Sequence, residues 1–193
     1  EGSWFGGIGD LYSSLWKLII RPPRERYDLS DFGPRRFQLQ GRLYHRRDLQ
    51  LRNERGLALE CSHFLPSGDG GKPSSSSPLP CVIYLHGNSS SRLEACDVLP
   101  ALLPRGITVF CLDMSGSGQS EGEYVSLGYH ERSDVNAAVD HLRTSGSASA
   151  IGLWGRSMGA ATAVLVAGED SSLAACIMDS PFGDFPQVAE ELI

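Results

Sequence analysis

The pattern Gly-x-Ser-x-Gly occurs twice in this chain of 193 residues, centred on Ser120 and on Ser157. In enzymes that transfer acyl groups, this spacing holds a serine hydroxyl in a sharp turn between a strand and a helix, where it can attack a carbonyl carbon. The flanking glycines let the two backbones approach closely. Because the chain is rich in glycine and serine, the pattern alone does not distinguish the two serines, and their flanking sequences must.

Ser157 has the flanking sequence that the chemistry requires. The apolar run "AIGLW" precedes it and predicts a strand, and the small-residue run "GAATAVLVA" follows it and predicts a helix. The sequence therefore predicts Ser157 as a catalytic nucleophile; the alternative is a tight strand–helix turn without chemistry. Ser120 lies among Gly and Glu residues, with no strand before it and no helix after it, and we interpret it as a loop residue.

A second segment, "YLHGNSSS" at 84–91, could complete such a site. An acyl-transfer enzyme needs two hydrogen-bond donors for the oxyanion, one from the residue after the nucleophile and one from a loop that follows another strand. Here these donors would be the backbone N–H groups of Met158 and Asn88. We interpret His86 as a buried structural histidine rather than as a general base.

The elements that must position these residues are visible in the hydrophobic pattern. Short apolar runs at 81–86, 107–113, 150–154 and 174–179 are typical of parallel strands that are buried on both faces. Helices are predicted for "RLEACDVLPALL", "ERSDVNAAVDHLRT" and "MGAATAVLVAG", and residues 48–66 predict an antiparallel hairpin that turns at Gly56. The predicted fold is α/β, a mostly parallel sheet with helices on both faces and its site at the carboxyl ends of the strands.

The motifs "LHGNSSS", "LDMSGSGQSEG", "LWGRSMGAA" and "MDSPF", in this order, resemble the α/β-hydrolase superfamily from about residue 48 onward. The subgroup is similar to serine aminopeptidases and dienelactone hydrolases, and "IIRPPRERYD" and "CSHFLP" are similar to little-characterised plant and protist hydrolases. The resemblance implies a nucleophilic Ser157, oxyanion donors at Met158 and Asn88, and a structural role for Asp113.

In that superfamily the acid and the histidine follow the serine. None of the residues after Ser157 is a histidine. We therefore expect the chain to be the N-terminal part of a longer hydrolase, interrupted after the strand that follows Ser157, with base and acid beyond residue 193. We expect it to be inactive alone. Asp179 could be the acid, as in some relatives, but we favour a structural role for it.

The predicted domains are an N-terminal helix with an arginine-rich extension (1–47) and the hydrolase domain (48–193), interrupted by a flexible loop at 67–80. Leu11, Leu15, Leu18 and Ile19 form one helical stripe, which either docks on the domain or lies in a membrane interface.

Composition limits the partners. The formal net charge of -6 argues against nucleic acid. The five cysteines show no metal-ligand spacing, and no metal or cofactor is predicted. An odd number of cysteines without a signal peptide favours the cytoplasm, with peripheral membrane contact through the N-terminal region as an option. Three hypotheses stay open: a serine hydrolase acting on a small-molecule or acylated substrate, a non-catalytic binding or scaffold protein, and a membrane-associated protein deacylase.

Overall fold

The computed structural model describes residues 20–21, 23–68 and 77–182. Three predicted features lie wholly or mostly outside the described residues: the N-terminal helical stripe, the loop at 67–80, and the chain from 183 onward.

Seven strands form one sheet in the order β1-β2-β3-β5-β4-β6-β7. Their bounds are β1 (Arg36–Leu39), β2 (Arg42–Arg52), β3 (Ala58–Pro66), β4 (Cys81–Leu85), β5 (Thr108–Leu112), β6 (Ile151–Arg156) and β7 (Ala175–Asp179). Strands β4 to β7 are parallel, whereas β1, β2 and β3 are joined to each other and to β5 in antiparallel register. The four predicted parallel strands and the hairpin at 48–66 are thus confirmed.

Helices cover both faces of this sheet, as predicted. On one face, α2 (Glu131–Thr144) and α3 (Met158–Glu169) pack against alternate residues of the central strands, such as Ile83 and Phe110. On the other face, the segment 92–105 packs against the residues between them, such as Tyr84 and Val109. The alternation arises because successive side chains of a strand point to opposite faces.

The segment 92–105 corrects one prediction, since it is not a continuous helix. It consists of a 3-10 helix (Arg92–Asp97), a single α-helical turn, α1 (Leu99–Leu102), and a second 3-10 helix (Leu103–Arg105). Proline lacks the N–H that a helix interior needs. Pro100 is tolerated in the first turn of α1, but Pro104 cannot donate to the Pro100 carbonyl four residues earlier, so α1 ends after one turn.

The sheet begins earlier than predicted. Strands β1 and β2 are joined by Gln40 and Gly41, which have φ of 49° and 77°, as a two-residue hairpin turn with both central residues at positive φ requires. Strand β2 runs continuously through position 47, where the sequence analysis divided the extension from the hydrolase domain.

The N-terminal segment (residues 23–27) packs against the loop after β5. The Arg24 guanidinium donates to the backbone carbonyls of Gly118, Ser120 and Gly122. At the end of the segment, the Tyr27 hydroxyl donates to Asp113 Oδ2 at 2.6 Å. Charged and aromatic side chains thus fix this part of the predicted extension to the sheet.

No helix among the described residues is long and apolar enough to cross a membrane. Cys61, Cys81 and Cys111 are buried, as expected for cysteines in apolar runs, and all five cysteines are free thiols.

His63 makes the stability of the fold dependent on pH. Its ring is 4% exposed, and burial together with the nearby His141 and Arg47 lowers its pKa to about 3. In the unfolded chain, His63 takes up its proton near pH 6.5. Between pH 6.5 and about 3, the unfolded state therefore binds more protons than the folded state. The free energy of unfolding is therefore expected to fall by up to about 1.4 kcal/mol for each pH unit below 6.5 from this group.

The variant His63→Gln removes the titration and retains a polar side chain that can reach Thr108. Urea unfolding at several pH values between about 6.5 and 4 should give a shallower decline for the variant than for the parent protein. Parallel declines would show that His63 is not held neutral by the fold.

Candidate active site

Ser157 occupies the single residue between the end of β6 and the start of α3. Its backbone has φ 50° and ψ −113°, a conformation that L-residues rarely adopt. The Ser157 N–H donates to Asp179 O at 2.8 Å, and the Ser157 carbonyl accepts the Ala161 N–H at 3.0 Å. The residue is half-buried. The turn therefore holds the serine in a strained backbone conformation where strand and helix meet.

The two flanking glycines permit this turn. A Cβ on Gly155 would lie 2.1 Å from Gly159 O, and a Cβ on Gly159 would lie 2.1 Å from Leu85 O. Both obstacles are backbone atoms, which cannot rotate away. Glycine is required at both positions because α3 begins in direct contact with the ends of β4 and β6.

The segment after β4 lies beside Ser157. A Cβ on Gly87 would be 3.8 Å from the Ser157 Cβ and 3.8 Å from the Arg156 carbonyl oxygen. His86, which precedes it, is completely buried. Its Nδ1–H donates to Gly87 O at 2.7 Å, and its Nε2 accepts the Met114 N–H at 3.0 Å. Because both ring nitrogens are occupied, His86 has the structural role that the sequence analysis favoured.

The two predicted oxyanion donors follow the two segments that meet at Ser157: Met158 begins α3, and Asn88 follows Gly87. Met158 is the first residue of α3, so its N–H has no partner four residues earlier within the helix. The positive end of the helix dipole also lies here. Asn88 follows Gly87 in a turn whose next residue, Ser89, has φ 64°, and the Asn88 Oδ1 accepts the Ser89 N–H at 3.0 Å.

The carboxylate of Glu94, which the sequence analysis did not identify, joins the two segments that meet at Ser157. Glu94 accepts the Gly87 N–H at 3.0 Å through Oε2 and the Arg156 Nη1–H at 3.0 Å through Oε1. The Tyr84 hydroxyl donates to the same Oε1 at 3.2 Å. In the sequence, the one sign of this contact is that Glu94 is acidic and lies seven positions after Gly87. The helix predicted there did not indicate that the Glu94 side chain contacts the loop.

Ser120, the other candidate, is a structural residue. It is 2% exposed, its hydroxyl donates to Asp113 O at 2.6 Å, and its Oγ accepts the Glu60 N–H at 2.8 Å. Asp113 is fully buried, and its carboxylate accepts the backbone N–H groups of Arg92 and Gln119 at 2.7 and 2.9 Å. These contacts match the structural role that the resemblance implied for Asp113.

Within the described part of the chain, no side-chain hydrogen bond joins Ser157 to a histidine or to a carboxylate, although the backbone of Asp179 lies beside it. The Asp179 carboxylate accepts the hydroxyl of Ser180 at 3.0 Å, and its side of the edge strand β7 is exposed. Asp179 contacts Ser157 through its backbone carbonyl, and the structural role of its carboxylate stays a prediction.

Residues 76–191 match the family described as "Serine aminopeptidase, S33", which is more than half of the chain. The chain is a member of this family of hydrolases. The uncharacterised protein YqkD of Bacillus subtilis is 35% identical over 109 residues, which make up 55% of this chain and 36% of YqkD. The uncharacterised protein YfhR of Escherichia coli O157:H7 is 26% identical over 132 residues, 67% of this chain and 45% of YfhR.

Solved structures agree on the fold. The Pyrococcus furiosus esterase Pf2001 superposes with a TM-score of 0.65 at 26% identity, covering 84% of this chain and 57% of the esterase. An acetyl xylan esterase from Paenibacillus sp. R4 superposes with a TM-score of 0.63 at 20% identity, covering 77% and 52% of the two chains. The chain has the α/β-hydrolase fold. It spans between about one third and three fifths of the length of these relatives.

The contact of Gly159 with β4 predicts a large difference between two Gly→Ala substitutions in α3. Gly159→Ala drives a methyl group into Leu85 O and should destabilise the protein by about 3 kcal/mol or more. Gly168→Ala, in the last turn of the same helix, has no atom within 4 Å of the new methyl group. It should be neutral or stabilise by up to about 1 kcal/mol.

Urea unfolding of the two variants measures both values. Similar unfolding midpoints for Gly159→Ala and Gly168→Ala would contradict the close approach of α3 to β4.

Proposed function

We propose that this protein is a serine hydrolase that cleaves an ester, thioester or amide through an acyl-enzyme on Ser157. The observation that carries the proposal is the backbone of Ser157, held at φ 50° between β6 and α3. A strained, half-buried serine in such a turn is the geometry of a nucleophile elbow, in which the hydroxyl is presented to substrate.

In the proposed reaction, the Ser157 Oγ attacks the carbonyl carbon while a base removes its proton. The carbonyl π electrons move to oxygen, and the resulting oxyanion accepts hydrogen bonds from the Met158 and Asn88 N–H groups. When the tetrahedral intermediate collapses, the bond to the leaving group breaks, the base returns its proton to that group, and the acyl group stays on Ser157. Water then hydrolyses the acyl-enzyme by the same steps.

The base in this proposal is a histidine, oriented by a carboxylate, and both lie outside residues 1–193. The His86 ring is excluded from the role because its two nitrogens are held by Gly87 O and the Met114 N–H. The relatives that match this chain are longer than it is, which is compatible with further catalytic residues in the whole protein.

Among the three bond types, an ester is the substrate that we favour. The Pyrococcus furiosus relative is named an esterase, and it is 26% identical to this chain.

The proposal predicts that a fluorophosphonate probe labels Ser157 in the whole protein that contains this chain. Ser157→Ala should abolish labelling and lower the hydrolysis of p-nitrophenyl acetate by a factor on the order of 10⁴ or more, because the nucleophile is lost. Labelling and initial rates measure both effects.

Ser120→Ala is the matched control, since it changes the serine of the other Gly-x-Ser-x-Gly pattern. It should cost stability through its lost hydrogen bonds but keep the labelling. Unchanged labelling in Ser157→Ala, or labelling abolished in a folded Ser120→Ala, would show that the nucleophile is wrongly assigned.

A further inference from the structure

Glu94 connects the end of β4 and its following loop to the end of β6, two parts of the candidate site that are distant in sequence. Its Oε2 accepts the Gly87 N–H, and its Oε1 accepts both the Arg156 guanidinium and the Tyr84 hydroxyl, at 3.0, 3.0 and 3.2 Å. Gly87 belongs to the loop that carries Asn88, and Arg156 immediately precedes Ser157. Tyr84 lies in β4, three residues before Gly87.

We infer that Glu94 is a positioning residue of this site, whose carboxylate sets the distance between the loop at 87–88 and Ser157. The inference rests on the proposed function, because the distance matters for catalysis only if Ser157 is acylated. The Gly87 N–H is engaged by Glu94 and is therefore not assigned as an oxyanion donor.

The need for such a connection follows from the chain order. The two proposed oxyanion donors, Met158 and Asn88, are separated in the sequence by the segment 92–105, β5, α2 and β6. Oxyanion stabilisation requires both N–H groups at about 2.7–3.1 Å from one oxygen, and a displacement of about 1 Å can cost on the order of 100-fold in rate. Glu94 joins the two sides directly, with one hydrogen bond to each.

The carboxylate has the burial and the charge to act as a rigid connection. Its side chain is 8% exposed, against 55% for that of Arg156. Burial raises the pKa of Glu94, but hydrogen bonds from Gly87, Ser90 and Arg156 outweigh burial and hold the pKa below its ordinary value. Glu94 is therefore ionised at neutral pH, and its hydrogen bonds are of the stronger, charge-assisted kind.

The kinetic test compares Glu94→Ala and Glu94→Gln with the parent in the whole protein, using p-nitrophenyl acetate. Glu94→Ala should lower kcat by about 10- to 100-fold and change KM by less than about 3-fold, because the oxyanion forms only after substrate binds. The kcat of Glu94→Gln should lie between those of the parent and of Glu94→Ala, since the amide oxygen can still accept the Gly87 N–H. Affinity for a boronic acid, which mimics the tetrahedral intermediate, should fall in parallel with kcat.

Glu131→Gln is the matched control. Glu131 is another buried glutamate that accepts backbone N–H groups, those of Ser126 and Gly128, each at 2.8 Å, but it lies at the start of α2. It should lower the melting temperature and leave kcat, KM and boronic acid affinity at parent values. Equal losses of kcat in Glu131→Gln and Glu94→Gln would show that Glu94 has only a general structural role, and would overturn the inference.

Hydrogen exchange at the Gly87 amide provides a readout that does not require activity. Its exchange should accelerate at least about 10-fold in Glu94→Ala, or in Glu94→Gln if the alanine variant does not fold. Failure of the proposed function would appear separately, as hydrolysis that survives Ser157→Ala. A folded Glu94→Ala variant with parent values of kcat and of Gly87 exchange would overturn the inference even if Ser157 is the nucleophile.

Discussion

The arrangement of this site depends on one contact between backbones, that of the first turn of α3 with the ends of β4 and β6. Gly159 lies against the carbonyl groups of Leu85 and His86, with no room for a side-chain atom between them. Because the helix begins so close to the sheet, a single residue must reverse the chain from strand to helix. Ser157 is that residue, and its backbone adopts a positive φ. The same contact brings the loop after β4 to Ser157. The position of the serine and that of its neighbouring loop therefore share one cause.

Buried carboxylates accept hydrogen bonds from several of the loops at this end of the sheet. Asp113 accepts N–H groups from two loops, Glu131 accepts those that precede α2, and Glu94 accepts that of Gly87. Asp134 accepts the Ser115 N–H, although burial raises the pKa of this carboxyl. Burying a carboxylate is costly unless its oxygens are hydrogen bonded, and each of these carboxylates accepts at least two hydrogen bonds. These polar contacts order the loops, whereas apolar packing in the core orders the strands.

The sequence predicted those features that depend on periodicity or on local sterics. The parallel strands, α2, α3 and the turn at Ser157 all follow from apolar spacing and from glycines at fixed offsets. Strand β1 was missed because it has four residues, and its signal lies mainly in the turn at Gln40 and Gly41. The segment 92–103 was assigned one helix although it contains Pro100, and the structure divides it between two 3-10 helices and one α-helical turn. Glu94 could not be identified, since its role depends on how three separate elements meet in space.

The contact between Arg24 and the loop after β5 has a consequence for sequence variation. The guanidinium binds the carbonyl groups of Gly118, Ser120 and Gly122, all of which are main-chain atoms. Every amino acid carries the same carbonyl group, so this recognition reads the path of the loop and not its composition. Substitutions that preserve the path would leave the Arg24 contact intact, whereas insertion of a single residue would displace the acceptors. Related chains that retain this arginine are thus expected to preserve the length of the loop, together with Gly118 and Gly122, where a Cβ would clash with Asp113 and with the Gly116 backbone.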